Sequence, residues 1–268
     1  MITAKMIQAL REKTGAGMMD CKKALTAANG DIDAAIDNLR KSGAAKAEKK
    51  SDRATNQGKV WTAVAKGKGA IVEVLCETDF AAKTPRFGEL VEKVSADSLN
   101  VAGNGDVTAA LNESEQAVMA EAIGVISENM QIRRAMKFEA EGSVFAGYHH
   151  MDGRVSVLVE VEGEDDPAIL NDICLHIAAF NPSYVDAADV PAEVIAKEKE
   201  IMLAADPSLA KKPAEMLEKI MGGKIKRFCS DICLRQQAWV KDDKTTLEKL
   251  KPGLKIKRFV RWAVGEEI

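Results

Sequence analysis

Cys229 and Cys233 stand four residues apart, a spacing that puts two thiols on one face of a helix and would supply half of a tetrahedral zinc site. Cys174 and His176 form a second pair, but residues two apart on a helix point to different faces. With no third and fourth ligand at local spacing, Cys229 and Cys233 read as buried or half-buried thiols, and no metal is expected. His149 and His150 end a strand with no serine or cysteine motif at nucleophile spacing beside them, so a surface contact is expected in place of catalysis. The chain lacks both a Gly-x-x-x-x-Gly-Lys-Ser/Thr loop and a strand, Gly-x-Gly-x-x-Gly, helix unit, so no nucleotide or other cofactor is expected to bind it directly. Lys255, Lys257, Arg258 and Arg261 interleave with Phe259 and Trp262 in the manner of an RNA-contacting strand. Alternation puts Val260, Trp262 and Val264 on one face, which reads as core, so direct nucleic-acid binding is not expected. In Glu77-Thr78-Asp79-Phe80-Ala81-Ala82-Lys83 a large aromatic directly follows two polar residues at the end of an apolar strand. Pattern alone favours Asp79 as the cap of the next helix with Phe80 tucked beneath it; the other reading presents Phe80 for contact.

The elements that must position these residues follow from periodicity. Thr3 caps a helix bearing Met6, Ile7 and Leu10, stopped by Thr14-Gly15-Ala16-Gly17; a second carries Met18, Cys21 and Leu25 and ends at Asn29-Gly30. Asp31 caps a third, bearing Ile32, Ala35, Ile36 and Leu39. From Ala44 to Gln57 the residues are small and charged, a helical tail running into a linker. Period-two segments then form a hairpin, Val60 to Val64 and Ile71 to Leu75, about Lys66-Gly67-Lys68-Gly69. Helices are expected around Phe87 to Val101 and Glu115 to Asn129, before a strand over Ile132 to Phe138.

The same order recurs with strands at Val144 to Tyr148 and Val155 to Val161, a turn at Met151-Asp152-Gly153, and a helix through Ile169, Ile173 and Ile177. Ile132-Arg133-Arg134-Ala135-Met136-Lys137-Phe138 aligns without a gap with Ile256-Lys257-Arg258-Phe259-Val260-Arg261-Trp262, so an internal duplication is expected. Helices over Pro191 to Ala205 and Pro213 to Arg227, joined at Asp206-Pro207-Ser208, interrupt the second half as an antiparallel hairpin, or coiled coil. The expected fold is α+β: a three-helix bundle over 1–43, a linker over 44–57, a first core half with antiparallel strands over 58–141, and a second half over 142–186 and 228–268. The hairpin fills 187–227.

At 268 residues with 46% hydrophobic content the chain is long enough for two or three domains. The 38 basic and 41 acidic residues leave a formal charge of −3, no global polyanion-binding signature. Five cysteines, odd in number and scattered, fit a reducing cytoplasm. No run of about 18 apolar residues occurs, so neither a membrane span nor a signal peptide is expected.

The bundle resembles the ubiquitin-associated (UBA) type, with Gly17-Met18 and Asn29-Gly30 matching its loop and turn. Thr14-Gly15-Ala16-Gly17-Met18-Met19-Asp20-Cys21-Lys22-Lys23-Ala24-Leu25, with Asn29-Gly30-Asp31, resembles bacterial elongation factor Ts. Cys76-Glu77-Thr78-Asp79-Phe80, Gly153-Arg154-Val155-Ser156-Val157-Leu158-Val159, His176-Ile177-Ala178-Ala179-Phe180-Asn181-Pro182, Asp189-Val190-Pro191-Ala192-Glu193-Val194 and Arg258-Phe259-Val260-Arg261-Trp262 are similar to that family's other motifs, in its order. The resemblance implies a guanine-nucleotide exchange factor for the GTPase elongation factor Tu, acting in protein biosynthesis, not an enzyme. It implies that Thr78, Asp79, Phe80 and Ala81 intrude beside the partner's magnesium and phosphate site, against the cap reading. It also implies weaker partner contacts from Met18, Met19 and His150, and leaves a homodimer open. Ala81 stands where the family commonly has valine, and the module that some members carry after the last strand is expected to be absent. An RNA-binding translation protein using residues 255–261 is the alternative.

Overall fold

A computed structural model of the chain describes residues 2–164, 166–209 and 212–267. Outside the described residues lie part of the connection expected inside the helical hairpin and the last residue of the chain. The chain divides into two compact units, Met1–Ala140 with His149–Ser156 and Trp262–Ile268, and Glu141–Tyr148 with Val157–Arg261.

The first unit opens with α1 (Ala4–Thr14), α2 (Met18–Ala27) and α3 (Ile32–Glu48). Their ends are set by the residues expected to set them. Thr3 accepts the Met6 amide at 3.3 Å, Gly15 closes α1 in the left-handed region at φ 69°, and Asp31 accepts the amides of Asp33 and Ala34 at 2.9 and 3.0 Å. Leu10, Cys21, Leu25 and Ala35 are buried between the three helices. The bundle and the first core half fall in one unit because α3 runs on and packs against α7 (Gln116–Ile126). Two glycines permit that approach: a Cβ on Gly124 would stand 3.0 Å from the Gly43 Cα.

The unit's sheet joins β1 (Gln57–Ala65), β2 (Lys68–Cys76), β3 (Gly105–Asp106) and β4 (Met130–Glu139) in the order β1-β2-β4-β3, all antiparallel. Alternate β2 residues Val72, Val74 and Cys76 share a core with Phe87, Leu90, Val91 and Val94 of α5 (Pro85–Ser98) and with Met119 and Ile123 of α7. One element is new here and one expectation is corrected. The edge strand β3 was not foreseen, since two residues carry no period. The single helix expected over Glu115 to Asn129 is α7, shorter and preceded by a separate α6 (Thr108–Ser114). Ser127 at φ 66° closes α7, freeing residues 127–129 to form a turn.

A register shift between Glu73 and Val74 lets two arginines of β4 reach one fully buried carboxylate: Arg133 at 3.2 Å and Arg134 at 2.6 Å. The Gly265 amide donates to the same Glu73 at 2.7 Å, and Arg134 pairs with Glu266 at 2.8 Å, so β2 and β4 anchor the chain after residue 262. A buried carboxylate is tolerable only with such partners.

The second unit holds most of a sheet in the order β5-β6-β9, from β5 (Ser143–His150), β6 (Val155–Glu162) and β9 (Lys255–Ala263), with α8 (Pro167–Phe180). As in the first sheet, the strand closing the segment lies beside the second strand of its hairpin. Next come α9 (Ala192–Ala205) and α10 (Ala214–Ile232), then β7 (Ala238–Trp239), β8 (Asp242–Thr246) and α11 (Leu247–Leu250), the last three unforeseen. Val194 and Ile195 at the start of α9 pack with Ile225, Phe228 and Ile232 at the end of α10, around buried Cys229 and Cys233. That stripe carries α10 past the Arg227 end expected for it.

Candidate docking site around Phe80

β2 ends at Cys76, and the chain turns into α4 (Asp79–Ala82), a single helical turn. Thr78, extended at φ −123° and ψ 155°, is its N-cap: the hydroxyl accepts the Ala81 amide at 3.2 Å. The cap reading is therefore corrected in both parts. Asp79 is the first helical residue, not the cap, and Phe80 is 82% exposed, not tucked beneath the helix. The inward places belong to Ala81 and Ala82, both buried, whose small side chains let the turn lie flat on the core below. Thr84 accepts the Phe87 amide at 3.3 Å and starts α5, so two threonine caps bracket the aromatic.

The turn 127–129 braces the segment. Glu128 accepts the Thr78 amide at 3.0 Å and its hydroxyl at 2.6 Å, while Glu77 accepts the Asn129 amide at 2.6 Å. The Asn129 side chain donates to the carbonyls of Ser51 and Arg53, and Lys50 donates to that of Ser127. Beneath, the Cys76 thiol donates to the Thr78 carbonyl at 3.2 Å; burial, then the nearby Glu128 carboxylate, push it up to about 12, so it stays protonated and unreactive. Asp79 faces outward and pairs with Lys83 at 2.7 Å, a hydrogen bond that holds its carboxyl below the usual range. A carboxylate and an unsupported phenyl ring thus stand together on a rigid base.

Asp79, Ala82 and Lys83 share a cavity of about 210 Å³ with Met151, Asp152 and Arg154 of the turn after β5. His150 lies at the mouth of that turn, half-buried, so the structure brings its segment to the same side of the unit as α4. The contact expected of His149 is corrected. Its ring stacks on Trp61 with centroids 3.7 Å apart, and its Nε2 accepts the Thr62 amide at 3.0 Å; burial lowers its pKa to about 4. Met18 and Met19, in the first turn of α2, are 56% and 64% exposed. Met18 lines a different cavity, with Ala4, Gln8, Arg11 and Glu12.

Sequence reasoning missed Met151, 71% exposed and left-handed at φ 49°. A large apolar residue at a turn tip was the available signal. It also missed Glu128, which nothing local distinguishes. Elsewhere, His176 stacks on Phe180 and Trp239 and bonds Gln237 at 3.0 Å, a core role, and burial pushes the Cys233 thiol up to about 12. Among the described residues no group of three His, Cys, Asp or Glu side chains is placed to hold a metal ion, and no helix is long and apolar enough to cross a membrane.

The family described as elongation factor TS matches residues 77–266, from the start of the Phe80 segment to Glu266, the partner of Arg134. Elongation factor Ts of Thioalkalivibrio sulfidiphilus (strain HL-EbGR7) is 44% identical over 276 residues, covering 100% of this chain and 93% of its own length. Those of Xanthomonas oryzae pv. oryzae (strain PXO99A) and Xanthomonas campestris pv. campestris (strain B100) are each 44% identical over 275 residues, with the same coverage. With similarity of this extent, and with the Thr78 to Ala81 segment inside the matched region, the chain belongs to the elongation factor Ts family.

Proposed function

We infer that the protein is the guanine-nucleotide exchange factor of the translational GTPase elongation factor Tu, working in the cytoplasm by binding and without a covalent step of its own. The observation that carries this reading is Phe80, 82% exposed on a capped and braced helical turn. An exposed phenyl ring has no stabilising role in its own fold, whereas a ring that fills a partner's pocket is a strong anchor. The turn of Thr78, Asp79, Phe80 and Ala81 would enter beside the partner's magnesium and phosphates, Phe80 as the apolar wedge and Asp79 as the polar element, while buried Ala81 seats the turn on its own core. Magnesium bridges the phosphates to a GTPase, so a small displacement of the groups that hold it removes a large favourable contribution to nucleotide binding. Exchange needs only that the factor prefer the nucleotide-free partner, and reciprocity then makes nucleotide expel the factor.

In the same reading Met18, Met19 and the hairpin end at His150 make additional contacts. Residues 1–43 would form a UBA-like module and 44–57 a linker, 58–141 and 142–186 with 228–268 the duplicated halves, and 187–227 a coiled-coil arm suited to a partner or a second copy. RNA binding is not favoured, because three of the four basic residues of β9 are already paired, Lys255 and Lys257 with Glu162 at 3.3 and 2.9 Å and Arg258 with Glu160 at 3.0 Å, and Arg261 donates to the Ala178 carbonyl. Size-exclusion chromatography with purified elongation factor Tu tests the function. A stoichiometric complex that GDP and magnesium dissolve is expected; no complex, or one indifferent to GDP, would count against exchange.

A further inference from the structure

We propose that Glu128 is a positioning residue for exchange, holding Thr78 so that Phe80 is presented in one orientation before the partner arrives. This rests on the reading of Phe80 as the wedge. A helix of one turn cannot hold its own geometry, since nucleation fixes several dihedrals for a single hydrogen bond. Something outside α4 must hold it. The Glu128 carboxylate does so at the N-cap, accepting the Thr78 amide at 3.0 Å with one oxygen and the Thr78 hydroxyl at 2.6 Å with the other. With its proton committed to Glu128, the hydroxyl oxygen presents a lone pair to the Ala81 amide at 3.2 Å, so the carboxylate also sets the direction of the cap bond.

The brace does not drift, because its own turn is tied from both sides. Glu77 receives the Asn129 amide at 2.6 Å, and the Asn129 side chain reaches the Ser51 and Arg53 carbonyls at 3.2 and 2.7 Å. Glu128 is half-buried and outside the apolar core, so its truncation removes orientation more than stability. Pre-organising a short anchor in its bound form lowers the ordering cost of binding, and loss of that order appears as slower exchange.

A double-mutant cycle read by release of fluorescent GDP from elongation factor Tu tests this, with wild type, Glu128→Ala, Phe80→Ala and both changes together. Glu128→Ala is expected to slow release about five- to tenfold, from the ordering cost that a loosened α4 adds to binding. Glu128→Gln, which keeps one acceptor oxygen, is expected to restore most of the rate. In the Phe80→Ala background the Glu128→Ala change is expected to have almost no further effect. Equal slowing in both backgrounds, the pattern of a merely destabilised protein, would overturn the proposal, as would wild-type release by Glu128→Ala. If Phe80→Ala itself releases GDP at the wild-type rate, the wedge reading fails first and the positioning role falls with it.

Discussion

Phe80 separates two roles that one residue cannot hold together. Because its ring contributes little to its own core, Phe80→Ala is expected to leave the melting temperature close to that of wild type. The same change is expected to slow GDP release from elongation factor Tu roughly tenfold to a hundredfold, the loss typical of an anchor that fills a partner's pocket. Had the ring lain under α4, its removal would have left a cavity and cost about 3 to 5 kcal/mol of stability. A lowered melting point with unchanged release would therefore return Phe80 to the core. His149 shows the opposite case, a polar residue drawn inward. Its pKa is depressed to about 4 from 6.5, so its contribution to stability is complete above pH 6.5 and is lost as the pH falls towards 4, where the unfolded chain takes up the proton first. With each pKa unit worth about 1.4 kcal/mol, solvent screening of the half-buried ring keeps the amount at stake below about 3 kcal/mol. Urea unfolding between pH 4 and 7.5 is expected to show that slope in wild type and a shallower one in His149→Gln, whose amide oxygen can still accept from Thr62. Equal slopes would remove His149 as the cause.

At the scale of elements, the contact of α3 with α7 rests on two small residues. A Cβ on Gly124 would approach the Gly43 Cα to 3.0 Å, a backbone atom that cannot step aside without moving the helix. Gly124→Ala gains helix propensity yet is expected to destabilise by about 1–3 kcal/mol, because overpacking here must separate two helices. Chemical denaturation measures it, and a neutral or stabilising effect would mean that the helices shift apart at little cost. α7 also ends in the turn that braces Thr78. The three-helix bundle and the Phe80 segment are thus both supported from the C-terminal half of one helix.

For the molecule as a whole, the first unit gathers the bundle, the first sheet, the turn after β5 and the chain after residue 262. Its exposed peptide lies between the end of α3 and Thr55, rich in lysine and arginine. Brief trypsin treatment is expected to cut first between Lys49 and Arg53, where helix has ended and the sheet has not begun. Because α3 packs on α7, the two fragments are expected to co-elute on size exclusion until denaturant is added. First cleavage within residues 70–140, or immediate separation of the bundle, would contradict this.

The sequence alone determined whatever depends on neighbours along the chain. Thr3, Asp31 and Gly15 fixed the limits of α1 and α3 because caps and left-handed turns act over three or four residues, and period two revealed β1, β2, β4, β5 and β6. The segment order was legible too, as the 44% identity to elongation factor Ts proteins agrees with the motifs that suggested it. Thr78 to Ala81 could be marked as unusual, yet local pattern put Phe80 underneath and Asp79 at the cap. Only the tertiary structure decided otherwise: Ala81 and Ala82 fill the space below, Thr78 is held from fifty residues away by Glu128, and the ring has no room left inside. The bond from His149 to Thr62 and the convergence of Arg133, Arg134 and Gly265 on Glu73 are likewise long-range. Such partners leave no period or spacing to read, because their pairing is set by the register of strands and the packing of helices.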